Sequence, residues 1–147
     1  MSFPASNNGP AGICVAHNDV CKTPVQTAAD VAVENATEPV AYTNVAALQQ
    51  ASLPTLAQKV FIVGKHGATT NTEIWMSTGN EAGTGGGVVS GSVAGPCRIK
   101  IGSRKVFVEG HGAAYLGVMV AHNNTANSNM PVGNQVHASQ SKVFFGP

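Results

Sequence analysis

Lys59-Val60-Phe61-Ile62-Val63-Gly64 returns as Lys105-Val106-Phe107-Val108-Glu109-Gly110 and, shortened, as Lys142-Val143-Phe144-Phe145-Gly146. Each copy is a short β-branched and aromatic run closed by glycine, the composition of a strand that ends in a turn. Such self-similarity is read before any single element, because it defines the unit from which the chain is built. The intervals between copies are unequal, which argues against a stacked solenoid and predicts three strand modules with loops of different length. A second echo sets Gly12-Ile13-Cys14-Val15-Ala16-His17-Asn18 against Gly117-Val118-Met119-Val120-Ala121-His122-Asn123, with His17 and His122 at matching positions. The middle module offers Asn71 to Met76 there, with Met76 in place of the histidine.

The composition around these repeats fits an all-β chain. Hydrophobic residues make up 43% but aromatics only 5% and charged residues only 10%, so Ala and Val dominate and the core is expected to be thin. The 17 glycines follow no collagen period and suit tight turns between short strands, most densely from Gly79 to Gly95. Thr43 to Ala51 carries good helix formers after a Thr43 or Asn44 cap, and reads as one short helix or as an extended loop after Pro39. With 147 residues and no linker-like stretch, residues 1–147 form a single domain.

Several function classes lose support here. The net charge is +1, and no basic run with interleaved aromatics offers a surface for nucleic acid or for a membrane. Met1 to His17 lacks the basic and continuous apolar regions of a signal peptide, and no stretch is long enough to cross a bilayer. The chain is therefore expected in the cytoplasm unless a dedicated machine exports it. Its three cysteines, Cys14, Cys21 and Cys97, are odd in number and form no CxxC pair, so free thiols or metal ligands are expected over a disulfide framework.

Four strings share a further property. Asp19-Val20-Cys21-Lys22-Thr23-Pro24, the segment Gly83 to Arg98 with its Gly87 to Gly91 core and Gly95-Pro96-Cys97-Arg98, Val106 to Gly110 leading into Ala113-Ala114, and Ser139-Gln140-Ser141-Lys142-Val143 together resemble the PAAR-like proteins of type VI and related contractile secretion systems. The resemblance covers most of the chain apart from residues 30 to 58. One departure is visible: the family's Gly-Asp before a ligating His or Cys is replaced by Gly12-Ile13 and Gly117-Val118. The resemblance implies a compact pseudo-threefold β cone or prism that caps a trimeric VgrG-type spike, one monomeric tip per trimer. It implies a role in membrane piercing and in delivery of non-covalent toxin effectors or an adaptor. A single chain that caps a trimer must offer three similar surfaces, which the Lys-Val-Phe repeat supplies. The chain ends just after the third repeat, so it is expected to carry no toxin domain of its own and to leave the cell with the spike.

The resemblance also implies a metal near the apex. His17, Cys21 and His122 are the candidate ligands for a structural zinc, with Cys14, His137 or Cys97 as possible fourth members, since zinc takes imidazole nitrogen and thiolate sulfur in closed tetrahedral sets. The two histidines at matching repeat positions are expected to converge on the pseudo-symmetry axis. His66 and His111 follow strand-closing glycines and are expected on exposed turns, and His137 on the surface. Val60, Phe61, Val106, Phe107, Val143 and Phe144 are expected to organise the core beneath the docking face. A Cys–His hydrolase with Cys21 or Cys97 as nucleophile lacks a local signature and an orienting carboxylate. A small cytoplasmic binding or immunity domain without a spike partner is the remaining alternative.

Overall fold

The computed structural model describes residues 1–25 and 36–147. Among the described residues twelve strands follow in order: β1 Phe3–Pro4, β2 Ile13–Pro24, β3 Thr37–Ala47, β4 Phe61–Ile62, β5 Lys65–His66, β6 Glu73–Ile74, β7 Cys97–Ile99, β8 Phe107–Val108, β9 His111–Gly112, β10 Met119–His122, β11 Met130–His137 and β12 Phe144–Phe145. The fold is all-β, as expected. Thr43 to Ala47 is neither helix nor loop: it continues β3, pairing with β2 from Ile13↔Ala47 to Ala16↔Asn44. Sheet pairing, with Ala46 and Leu48 entering the core, overrides the local helix propensity of this alanine-rich run. Helix formers leave only single 3-10 turns at Leu48–Gln50 and Leu53–Thr55.

Each Lys-Val-Phe copy becomes half of a two-stranded ribbon: β4 with β5, β8 with β9, and β12 with β1. The first two turn at Val63-Gly64 and Glu109-Gly110, where all four residues have positive φ, the geometry that suits the twist of a tight hairpin. In the third, the two chain ends pair instead, Phe3↔Phe145 and Pro4↔Phe144.

The ribbons are locked together by closed rings of backbone hydrogen bonds. Ser6 N donates to Ala114 O (2.8 Å), Ala114 N to Ala68 O (2.9 Å), and Ala68 N back to Ser6 O (2.9 Å). A second ring runs the other way, from Asn8 N to His66 O (3.1 Å), Thr70 N to Gly112 O (3.0 Å) and Leu116 N to Pro4 O (2.9 Å). Each module exchanges both bonds of a bridge with the next, as the pairs Asn7↔Gly67, Thr69↔Ala113 and Ala5↔Tyr115 record. Stepping from one module to the next three times returns to the start, which is the pattern of a threefold arrangement built from one chain.

Beyond the rings, the chain enters a six-stranded sheet of order β3-β2-β11-β10-β7-β6, whose two edges are joined by the bridges Val45↔Thr78 and Ala51↔Ile74. Cys14, Ile74 and Val120, one from each module, share a buried cluster with Leu48, Ile99 and small residues such as Ala46, Ala68 and Ala114. The core is thin, as the alanine and valine content predicts. The ribbon residues divide differently from expectation. Ile62 and Val108 are buried and Phe145 partly so, with Val60 and Val106 packed beside Val108, whereas Phe61, Phe107 and Phe144 are 56%, 63% and 51% exposed. Alternation along a strand sends successive side chains to opposite faces, so Phe61 and Ile62 cannot both turn inward.

Candidate functional site

The histidine echo is offset by one residue in space. Strand pairing sets Ile13, Glu73 and Met119 in equivalent places: Leu48 N donates to Gly12 O (2.9 Å), Ile99 N to Thr72 O (3.2 Å) and Gln135 N to Val118 O (3.1 Å). His122 therefore corresponds to Ala16 and Met76, not to His17. Because side chains alternate with period two, a one-residue slip moves a side chain to the other face. His17 is exposed, with Nδ1 3.4 Å from Thr43 Oγ1, while His122 is fully buried. The expected convergence of His17 and His122 does not occur.

Cys21 and His122 both feel the charge of a third group, Asp19. A bulge puts it there: the β2–β3 register advances from Ala16↔Asn44 to Asp19↔Tyr42, with Asn18 at φ 60° as the extra residue. His17 and Asn18 both face solvent and Asp19 turns inward, fully buried. Three asparagine amides converge on its carboxyl group: Asn80 Nδ2 donates to Oδ2 (2.8 Å), Asn123 Nδ2 to Oδ1 (3.5 Å), and Asn129 Nδ2 to Oδ1 as well.

The opposite ends of the same amides hold the glycine-rich segment. Asn80 Oδ1 accepts from Ala94 N (2.9 Å), Asn123 Oδ1 from Gly95 N (3.0 Å), and Asn129 Oδ1 from Val89 N and Ser90 N (2.8 and 3.2 Å). Alongside, Lys22 exchanges backbone bonds with Gly85 and Gly86, 2.8 Å each, and Cys21 bridges Gly87. A Cβ on Gly87 would lie 2.4 Å from Asn129 Cγ, so only glycine lets the loop lie this close. The Asp19 to Pro24 string and the Gly83 to Arg98 string, far apart in sequence, are thus two halves of one clamp.

Among the described residues, His17, Cys21 and His122 are not brought together, and no group of three or more His, Cys, Asp or Glu side chains is placed to share an ion. Cys14 and Cys97 are buried in the apolar core, His137 is exposed, and His17 is on the surface. The Asp19 carboxyl is already engaged by three amides. Neither ring nitrogen of His122 has a hydrogen-bond partner, and its ring packs where a Cβ on Gly133 would stand 2.7 Å from Cδ2. Burial lowers its pKa to about 4, with Asp19 pulling the other way.

The thiols are held in their protonated form. Burial, followed by the nearby Asp19, pushes Cys21 up to about 11, and burial raises Cys97 to about 11 and Cys14 further still, with Cys97 adding to the rise at Cys14. A cysteine nucleophile needs thiolate, which these environments disfavour. His66 is half-buried, its Nδ1 2.7 Å from Ala57 O, and His111 is exposed. Sequence reasoning missed Asp19, Asn80, Asn123 and Asn129. The available signal was an acidic residue inside a β run together with the asparagine cluster at Asn123, Asn124, Asn127 and Asn129.

At the ring end of the molecule the surface is different. Phe61, Phe107 and Phe144 occupy one position on each ribbon, opposite His66, Gly112 and Pro4, whose carbonyls accept the second ring of bonds. Phe61, Phe107 and Phe144 are thus three exposed aromatic rings at equivalent places of the internal repeat.

A family model described as the toxin PAAR-like domain matches residues 12–131. That span contains the clamp and two ribbons. The third ribbon, Phe3–Pro4 with Phe144–Phe145, lies outside it. No curated protein and no solved structure matches the chain.

Proposed function

The chain belongs to the toxin PAAR-like domain family, and on that footing we propose that it is the tip of a contractile secretion spike, docking by its three ribbons on the end of a trimeric VgrG-type protein. The observation that carries the reading is the closed backbone ring through Ser6, Ala68 and Ala114, with an equivalent exposed phenylalanine on each ribbon. A trimer offers three copies of one surface, and a single chain matches it only by repeating its own. The clamp around Asp19 lies at the far end of the strands and fastens the glycine-rich segment by backbone and amide bonds instead of a large core. This supports a mechanical role for the molecule. The raised thiol pKa values support a reading without cysteine catalysis. In this account the protein assembles on the spike in the cytoplasm, is expelled with it, and any effector travels bound to the tip or to the spike.

Mixing the purified chain with the trimeric spike of the same organism, and weighing the complex by native mass spectrometry, tests this. One chain per trimer is expected. Replacing Phe61, Phe107 and Phe144 together by serine is expected to weaken the complex by roughly a hundredfold or more, since buried aromatic anchors dominate interface energetics. No complex, or three chains per trimer, would leave a small binding or immunity domain as the better account.

A further inference from the structure

Two positions before each exposed phenylalanine stands a lysine: Lys59, Lys105 and Lys142, all exposed. Each lysine stands in the bend that leads into its ribbon strand, and both it and the phenylalanine two residues on are exposed. Each ribbon therefore carries an exposed Lys-x-Phe pair, and the ring bonds relate the three ribbons by the same threefold step. Lys65 and Arg104 lie on the same ribbons or their lead-in residues, so five of the chain's eight basic residues gather there. Among the described residues Glu109 is the only acidic side chain on these ribbons, and it accepts a hydrogen bond from the Lys59 backbone N at 3.3 Å. Asp19, Glu38, Glu73 and Glu81 belong to the sheet and the clamp loop. Among the described residues, the ribbon end thus carries five basic side chains against one acidic one.

We propose that Lys59, Lys105 and Lys142 meet a ring of three carboxylates on the spike, one Asp or Glu from each chain, beside the apolar sockets that receive the phenylalanines. This rests on the docking reading above and adds to it the charge of the partner. Strand repetition alone would preserve the aromatic positions, but a lysine at the same offset in all three ribbons gives each contact the same charge as well. Three symmetric point charges fit a trimer, whereas a polyanion such as nucleic acid is met by a basic stripe along its backbone. Charges at the rim of an aromatic contact act mainly on encounter rate and partner choice, while the aromatic rings govern how long the complex lasts.

The test measures association and dissociation rates with the same trimeric spike, at low and high salt, for three proteins. Lys59→Glu with Lys105→Glu and Lys142→Glu is expected to slow association by roughly tenfold or more at low salt, with the gap closing as salt screens the charges. The phenylalanine-to-serine triple variant is expected to change dissociation instead. Lys22→Glu with Lys100→Glu, away from the ribbons, is expected to stay within about twofold of the unmodified chain. Unfolding midpoints of all variants confirm that exposed substitutions leave the fold intact. If the unmodified chain docks one per trimer while the ribbon charge reversals associate at its rate, the carboxylate ring is wrong and the docking reading survives. If the unmodified chain does not dock, both fall. If the three lysines drive binding to anionic lipid vesicles and leave spike association untouched, the charge belongs to a membrane contact and the proposal is overturned.

Discussion

Asp19 is where the chain has most to lose from one substitution. Its carboxyl group receives three amide N–H groups, all from residues that are themselves buried. Asp19→Ala would leave those donors unpaired in a dry interior, and the cost of each is about 1–3 kcal/mol. The expected loss is about 3 kcal/mol or more in urea unfolding, together with faster hydrogen exchange at Val89, Ser90, Ala94 and Gly95. His122 makes a second prediction. The folded protein binds its proton only near pH 4, while the unfolded chain binds one near 6.5, so stability is full above pH 6.5 and falls as pH drops toward 4. The loss by pH 4 is about 3 kcal/mol, and His122→Gln is expected to flatten that part of the stability-versus-pH curve. None of this could be foreseen from spacing. Asp19 stands in a quoted motif, yet nothing local says that three distant asparagines will surround it, and the histidines match by alignment while facing opposite ways.

The β2 strand shows why a match in sequence can mislead. Its one extra residue, Asn18, sits in the left-handed region and resets the alternation, so that everything before it obeys one parity and everything after it the other. Deleting Asn18 should turn Asp19 toward solvent and destabilise the protein at least as much as Asp19→Ala, measured in the same unfolding assay. Gly79 guards the neighbouring edge of the sheet. It has φ +123°, and a Cβ there would lie 2.1 Å from the Thr43 carbonyl oxygen, next to the Val45↔Thr78 bridge. Gly79→Ala is expected to cost at least about 1 kcal/mol and to loosen that bridge, seen as lost exchange protection at Val45 and Thr78. The ribbons themselves were legible, because a strand closed by Val-Gly or Glu-Gly needs only local chemistry. Which of their residues would face outward was not, since that depends on the small inner cluster around Ala57, Val108 and Ala113.

The threefold arrangement was legible from the Lys-Val-Phe repeat, but the partner of its third copy was not, because Phe3–Pro4 shares no sequence likeness with Lys65–His66 or His111–Gly112. The two ends of the chain meet there, with the Met1 carbonyl oxygen 3.5 Å from where a Cβ on Gly146 would stand. A circular permutant that joins Pro147 to Met1 and opens between Val63 and Gly64 should keep the fold, checked by its circular dichroism and unfolding midpoint. Removing residues 1–8 should abolish it, since Ser6 belongs to the first ring and Pro4 and Asn8 to the second.

Those rings also govern how the molecule comes into being. Residue 6 bonds to residue 114, and residue 3 pairs with residue 145, so the closing contacts span nearly the full length of the polypeptide. Such distant partners meet slowly, and on the ribosome they cannot meet until residue 145 has emerged. Until residue 145 has been made, the third ribbon and the set of three that it completes cannot form.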